Sequence, residues 1–243
     1  MIDIELVRSI HDIPITPNDE FFKISIDYFD IDPETYQLIV TGQVDNPLNL
    51  SLDEIKAMPV TSEIVRLTCI NYKHGSRDLT GVANWTGVKL SYILELAEIN
   101  LEETGDITFH TPDLAEGYST SLNPEEAYWD DVILAYEMNE EPLPKDHGFP
   151  LRLVCPRMFG YKWIKWIAYI NATNIDYKGF WENLGFDDSP YVDIEDLPIY
   201  YPLTSDNEVP STEKQKISWL GFELFLTTLI ILTLSRLEKK KIN

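Results

Sequence analysis

VILAYEMNEEPLPKDHGFPLRLVCPRMFGYKWIKWI, residues 132–167, is the stretch on which the reading of this chain turns. It opens on an apolar run, Val132–Met138, that reads as a buried strand, and a Pro- and Glu-rich turn follows. Two further strands are expected at Leu151–Val154 and Ile164–Asn171. The same stretch gathers Lys145, Arg152, Arg157, Lys162 and Lys165, with His147 beside them and Asp146 as the one opposing charge after Lys145. Such a cluster is either a solvated basic loop or the wall of an anion site.

The rest of the chain sharpens that choice. The 243 residues carry a formal net charge of -22, and residues 1–210 hold 13 Lys/Arg against 38 Asp/Glu. A surface of that sign repels nucleic acid and anionic lipid. An acidic protein has little reason to concentrate its few cations. A second concentration lies across Arg66–Arg77, where Arg66, Lys73 and Arg77 accompany His74 without an acid, so eight of the 13 cations fall in two short stretches.

Read in order, the chain begins with a Pro-, Asp- and aromatic-rich segment over 14–34, then a strand at Tyr36–Thr41. Ser51 and Glu54 have the spacing of a capping box, which starts a short helix that Pro59 ends. Glu63–Ile70 reads as a strand with Val65, Leu67 and Cys69 on one face. Leu90, Ile93, Leu94 and Ala97 have helical spacing within Lys89–Ile99. Strands follow at Asp106–His110 and Gly117–Ser121, and Asn123-Pro124 forms an N-cap and first-turn pair. Many short strands with a few short helices make an α+β domain on mixed β-sheets. The expected organisation is a domain over 1–186, a Pro-rich acidic stalk over 187–216, and a membrane anchor with a basic tail over 217–243.

The anchor is read from ISWLGFELFLTTLIILTLS, residues 217–235, in which Glu223 is the one charge. As a helix it would span roughly 28 Å, close to a hydrocarbon core of about 30 Å. Its polar residues scatter around the helical wheel, which disfavours an amphipathic surface helix. Arg236 and Lys239–Lys241 follow it, so the tail is expected inside and the domain outside the cytoplasm, although no secretory signal precedes the domain.

Nucleotide-phosphate loops, dinucleotide fingerprints, zincin helices and serine-hydrolase elbows do not occur. Cys69 and Cys155 suggest neither a disulfide framework nor a zinc site. Cys69, at a strand end among basic residues, is open to two readings: a thiolate that binds a soft metal, or a small buried hydrophobe. In His147–Arg152, a planar guanidinium and an imidazole suit the oxygens of a phosphate. A metal-binding thiolate together with an anion cradle points to a phosphorylated metal cofactor.

From about Asn18 to Gly185 the chain resembles the molybdopterin-binding domain of the sulfite oxidase family. The matching landmarks are N-D-E-F-F at 18–22, L-T-C ending at Cys69, W-T-G-V-x-L from Trp85, and I-L-A-Y-E-M-N from Ile133. P-L-P-K-D-H-G-F-P-L-R from Pro142, G-Y-K-W-I-K-W from Gly160 and D-Y-K-G-F-W-E from Asp176 complete the set in the family's order. The resemblance implies a sulfite-oxidase-like fold and a molybdenum–molybdopterin cofactor with Cys69 as the protein's metal ligand. It implies that His147, Arg152 and Lys165 hold the cofactor, with Lys162 beside them, and that Tyr177 stands near the substrate. Lys73, His74 and Arg77 would attract a substrate anion. Two departures bear on the substrate. Ile24 stands at or near the position of an arginine of animal sulfite oxidases, and Asn71-Tyr72-Lys73-His74 replaces their arginine-bearing loop.

The implied activity is that of a membrane-attached oxidoreductase, moving an oxygen atom to or from a small oxyanion or sulfur compound. Electrons would pass to or from a separate carrier such as a cytochrome or a quinone-linked protein. A methionine sulfoxide, sulfoxide or N-oxide reductase of the same family is the alternative chemistry. A non-catalytic cofactor-binding membrane module is the alternative of another class.

Overall fold

The chain is described by a computed structural model over residues 14–71 and 79–192. The anchor stretch 217–235 and most of the stalk lie outside the described residues, as do Lys73, His74 and Arg77. Among the described residues, no helix is long and apolar enough to cross a membrane. Those residues form one compact unit, apart from 24–28, which belong to a second.

Among the described residues, ten short strands build two five-stranded sheets. The first runs in the order β2 (Leu48–Ser51), β1 (Gln37–Gly42), β10 (Tyr169–Thr173), β5 (Asp106–His110), β6 (Ser119–Leu122). Its β1–β10 pair is parallel and the others are antiparallel, so the sheet is mixed. The second sheet runs β3 (Val60–Thr68), β4 (Thr80–Lys89), β7 (Ile133–Met138), β8 (Glu141–Pro142), with β9 (Arg152–Val154) also paired to β7. Leu38, Val40, Ile107, Phe109 and Ile170 from the first sheet share one core with Val65, Leu67, Trp85, Ile133 and Leu134 from the second. Alternating strands with one apolar face have only this way to hide it.

The described helices are short, and two of them carry the side-chain caps their sequences encode. In α1 (Leu52–Lys56), the Ser51 side chain accepts from the Glu54 amide while Glu54 reaches back to the Ser51 amide. Asn123 and Glu126 form the same reciprocal box on α3 (Pro124–Ala127). Glu126 does more: its Oε1 accepts from Ser189 at 2.7 Å and from the Tyr191 hydroxyl at 2.8 Å. Val192 donates its amide to the Arg157 carbonyl at 2.9 Å, so residues 189–192 are held against the domain. The helix expected over 89–99 is α2 (Leu90–Leu96), which buries Leu90, Ile93 and Leu94.

Strands β2, β4 and β8 were not expected from the sequence, and β10 starts later than expected. Strand β4 (TGVANWTGVK) was not anticipated, because two glycines and an asparagine dilute its strand propensity. A Cβ on Gly87 would lie 2.0 Å from the Leu134 carbonyl oxygen, at the register shift between β4 and β7. Glycine is there for close approach, not for a loop. The strand expected at 164–171 begins only at Tyr169, since Gly160–Lys162 forms a 3-10 turn and Trp166 adopts φ 54°.

Candidate cofactor site

The N-terminal landmark segment is tied to the second sheet by amide and asparagine hydrogen bonds. Thr16 and Val82 exchange a pair of bonds, with the Thr16 amide donating at 2.8 Å and its Oγ1 accepting at 3.1 Å. Asn139, at the end of the I-L-A-Y-E-M-N landmark, donates to the Asn18 side chain at 2.7 Å and accepts from the Asn84 amide at 2.9 Å. Phe21 is thereby laid edge-on against both Trp85 and His147. Sequence order placed these motifs 120 residues apart; the fold makes them one wall.

The positive charge of residues 145–165 divides in three dimensions. Lys145 pairs with Asp30, and Arg157 with Asp131. Lys162 is fully buried, with its ammonium 2.7 Å from Glu182 and 3.6 Å from Asp188. Its charge is matched there by two carboxylates. Spacing alone could not show a partner 20 residues downstream.

His147, Arg152 and Lys165 are brought together. His147 ends a 3-10 turn, Lys145–His147, and Gly148 follows at φ 110°, a conformation that favours glycine. Arg152 is 2% exposed; Nη1 donates to the His147 carbonyl at 3.0 Å and Nη2 to the Trp163 carbonyl at 3.3 Å. Its guanidinium lies 4.6 Å from the centre of the Trp85 ring. Lys165 donates to the carbonyl of Asp146 at 2.9 Å. No carboxylate comes within ion-pair distance of Arg152 among the described residues, and its buried Nε has no partner.

A buried cation without a counter-ion is costly, and the neighbourhood registers it. Burial pulls Arg152 down to about 9. Burial, then the charge of Arg152, pulls His147 down to about 4 and Lys165 down to about 7. His147 is therefore neutral at neutral pH, with Nε2 3.1 Å from the Asn18 carbonyl. All three shifts would be relieved by an anion.

Cys69 follows the last residue of β3, and its amide donates to the Leu79 carbonyl at 3.0 Å. The thiol is half-buried against Ile70, Phe159 and Val192. Burial raises its pKa, opposed by the amides of Asn71 and Ile70. Among the described residues the pull towards thiolate comes from the backbone; Lys73, His74 and Arg77, which the sequence grouped with Arg66 around this thiol, lie outside them. A cleft of about 470 Å³, lined by residues including Thr16, Glu20, Arg66 and Thr80, opens beside this end of β3 and β4. Cys155 is a free, fully buried thiol of the core.

Tyr177 lies against the first sheet. Its amide donates to Asp106 at 2.6 Å, and its hydroxyl is 2.9 Å from Ser119 Oγ. Asp106 and Ser119 were not anticipated, because nothing in a lone Asp or Ser at a strand start marks a contact more than fifty residues away.

Two sheets around one core carry an unmatched guanidinium with His and Lys beside it, a setting that suits an anionic group, and a half-buried thiol at a strand end. Residues 25–181 match the family described as the oxidoreductase molybdopterin binding domain, and the chain belongs to that family. It is 32% identical to the mitochondrial sulfite oxidase of Homo sapiens over 247 residues, covering 86% of this chain and 44% of that protein. It is 36% identical over 155 residues to the uncharacterized oxidoreductase YuiH of Bacillus subtilis, covering 64% of this chain and 74% of that one. The sulfane dehydrogenase SoxCD of Paracoccus pantotrophus superposes with a TM-score of 0.56 at 25% identity, over 60% of this chain and 40% of that one. The match covers less than half the length of the human and rat mitochondrial sulfite oxidases. Its fold is sulfite-oxidase-like and its cofactor is the molybdenum–molybdopterin group. The residues present fit that group: the orphan Nε of Arg152 and the depressed bases beside it suit a phosphate, and amides directed at Cys69 suit a thiolate ligand.

Proposed function

We propose that this protein is a molybdenum oxidoreductase that transfers an oxygen atom to or from a small sulfur compound or oxyanion and exchanges electrons with a separate carrier. The observation that carries the reading is the buried Arg152 guanidinium, without a carboxylate partner and flanked by His147 and Lys165. The substrate class is supported by two relatives, named sulfite oxidase and sulfane dehydrogenase. When bound, the cofactor supplies two-electron oxygen-atom transfer.

In this reading, Arg152 and His147 grip the cofactor's phosphate and Lys165 adds a second positive contact. Binding offsets the desolvation of Arg152, so His147 becomes easier to protonate and can donate in its turn. Cys69 is the metal ligand, and its half-buried setting keeps bulk water from the thiolate. Tyr177 offers a phenolic proton to a substrate oxygen. Lys73, His74 and Arg77 remain candidates for drawing in an anion.

Residues 217–235 anchor the protein in a membrane, with the basic tail inside and the domain outside. This part rests on sequence alone. Protease digestion of intact cells tests it: loss of the domain is expected, and full protection reverses the orientation.

Purification of the full chain from membranes, followed by metal analysis, tests the chemistry. The preparation should contain stoichiometric molybdenum, and should either oxidise sulfite with ferricyanide or reduce dimethyl sulfoxide with a reduced viologen dye. A molybdenum-loaded protein inert in both directions would favour a non-catalytic module.

A further inference from the structure

Tyr177 Oη has one hydrogen-bond partner among the described residues, Ser119 Oγ at 2.9 Å. Ser119 begins β6 and sits opposite His110 across the β5–β6 pair. Everything around the phenol fixes its place. The Tyr177 amide is held by Asp106 at 2.6 Å, its carbonyl accepts from Ser121 Oγ at 3.2 Å, and the Phe180 amide returns to the Ser119 carbonyl at 2.9 Å. The His110 ring packs against the phenol at 5.7 Å and 70°. His110 makes no hydrogen bond to the phenol among the described residues. Thr108 donates its hydroxyl to the Asn171 carbonyl at 3.1 Å, so its oxygen accepts from His110 Nε2 at 2.9 Å and that nitrogen is occupied.

The hydrogen-bond arithmetic follows. A phenol has one proton to give and lone pairs to receive with, and an alcohol has the same inventory. The phenol is much the stronger acid, so in a chain of serine, tyrosine and substrate oxygen the favoured polarity runs from serine to tyrosine to substrate. Each bond in such a chain strengthens the next. The Ser119 hydroxyl makes no other bond among the described residues, which leaves its proton available to Tyr177.

We propose that Ser119 is a positioning residue, donating its hydroxyl proton to Tyr177 Oη and so aiming the phenolic hydrogen at the reacting substrate. This rests on the placement of Tyr177 beside the substrate, and the test separates the two. The full-length holoenzyme is compared as wild type, Ser119→Ala, Ser119→Thr, Tyr177→Phe and the Ser119→Ala/Tyr177→Phe double variant. Turnover is followed with sulfite and ferricyanide, or with dimethyl sulfoxide and a reduced viologen. Ser119→Ala should lower kcat about tenfold with little change in KM, the effect of one aligned hydrogen bond felt in the transition state. Ser119→Thr should recover most of that loss. In the Tyr177→Phe background, Ser119→Ala should cost nothing more.

A second readout needs no turnover. The tyrosine ring 13Cζ resonance assigned to Tyr177, by its absence in Tyr177→Phe, should move in Ser119→Ala and return in Ser119→Thr. An unmoved resonance, or a Ser119→Ala loss that persists undiminished without the phenol, overturns the positioning role. If Tyr177→Phe alone leaves kcat unchanged, it is the substrate-side placement of Tyr177 that falls, and the proposal falls with it.

Discussion

At the residue scale, the site is made by three side chains that are each uncomfortable in the free protein. Arg152 is buried against Trp85 with carbonyls for partners, and His147 sits at 2% exposure beside it. The His147 effect can be read in stability. The unfolded chain takes up the imidazole proton near 6.5, whereas the folded protein resists it down to about 4. Each step of acidification through that window therefore favours unfolding, and the penalty fades above it. The cofactor-free protein should lose melting temperature steeply between pH 6.5 and 4, with a shallower slope in His147→Gln. Equal slopes would mean that His147 is not held neutral by its surroundings. Cys69, His147, Arg152, Lys165 and Tyr177 could be picked out as candidates because each sits inside a dense landmark of sequence. Lys162 lay inside one too, yet its buried pairing with Glu182 depends on where the chain returns in space. The Asn18–Asn139 bond and the Ser119–Tyr177 bond were hidden for the same reason.

At the element scale, the caps and apolar runs announced themselves and β4 did not. Ser51 with Glu54 and Asn123 with Glu126 are local codes, satisfied within one turn, so the sequence contains the whole signal. Strand β4 is set by its neighbours on both sides, pairing with β3 over its full length and with β7 across a register shift. A strand chosen by tertiary contacts has no need of strong propensity. Gly87 is the point at which this shows. A methyl group there would meet the Leu134 carbonyl at 2.0 Å, backbone against backbone, with no side chain to swing aside. Gly87→Ala should destabilise the domain by about 2–4 kcal/mol, seen as a lower urea midpoint, because β7 must shift and it carries core residues Ile133 and Leu134. A variant of unchanged stability would mean that β4 and β7 do not approach as described.

At the scale of the whole molecule, 41 acidic against 19 basic residues give a net charge of -22, while the buried Arg152 has no carboxylate partner among the described residues. Each part has its own use. The internal cations suit an anionic cofactor, and under the proposed function the net negative charge would draw in a cationic electron carrier by long-range attraction that salt weakens. Reduction of a basic cytochrome by the substrate-loaded enzyme should therefore slow as ionic strength rises, while turnover with ferricyanide, an anion, should not slow in the same way. Parallel loss with both acceptors would place the salt effect on substrate capture instead.

If Arg152 anchors the cofactor as proposed, its loss is read in pterin and molybdenum content. Full-length wild-type and Arg152→Lys proteins, expressed and purified side by side, should differ sharply. A lysine keeps the charge but loses the fork that binds two carbonyls and an anion at once, which costs roughly 2–3 kcal/mol of binding, or about a hundredfold in affinity. Wild type should retain stoichiometric molybdenum and pterin through dialysis, and Arg152→Lys should lose both while remaining folded. A folded Arg152→Lys protein that keeps its full complement of cofactor would contradict the account.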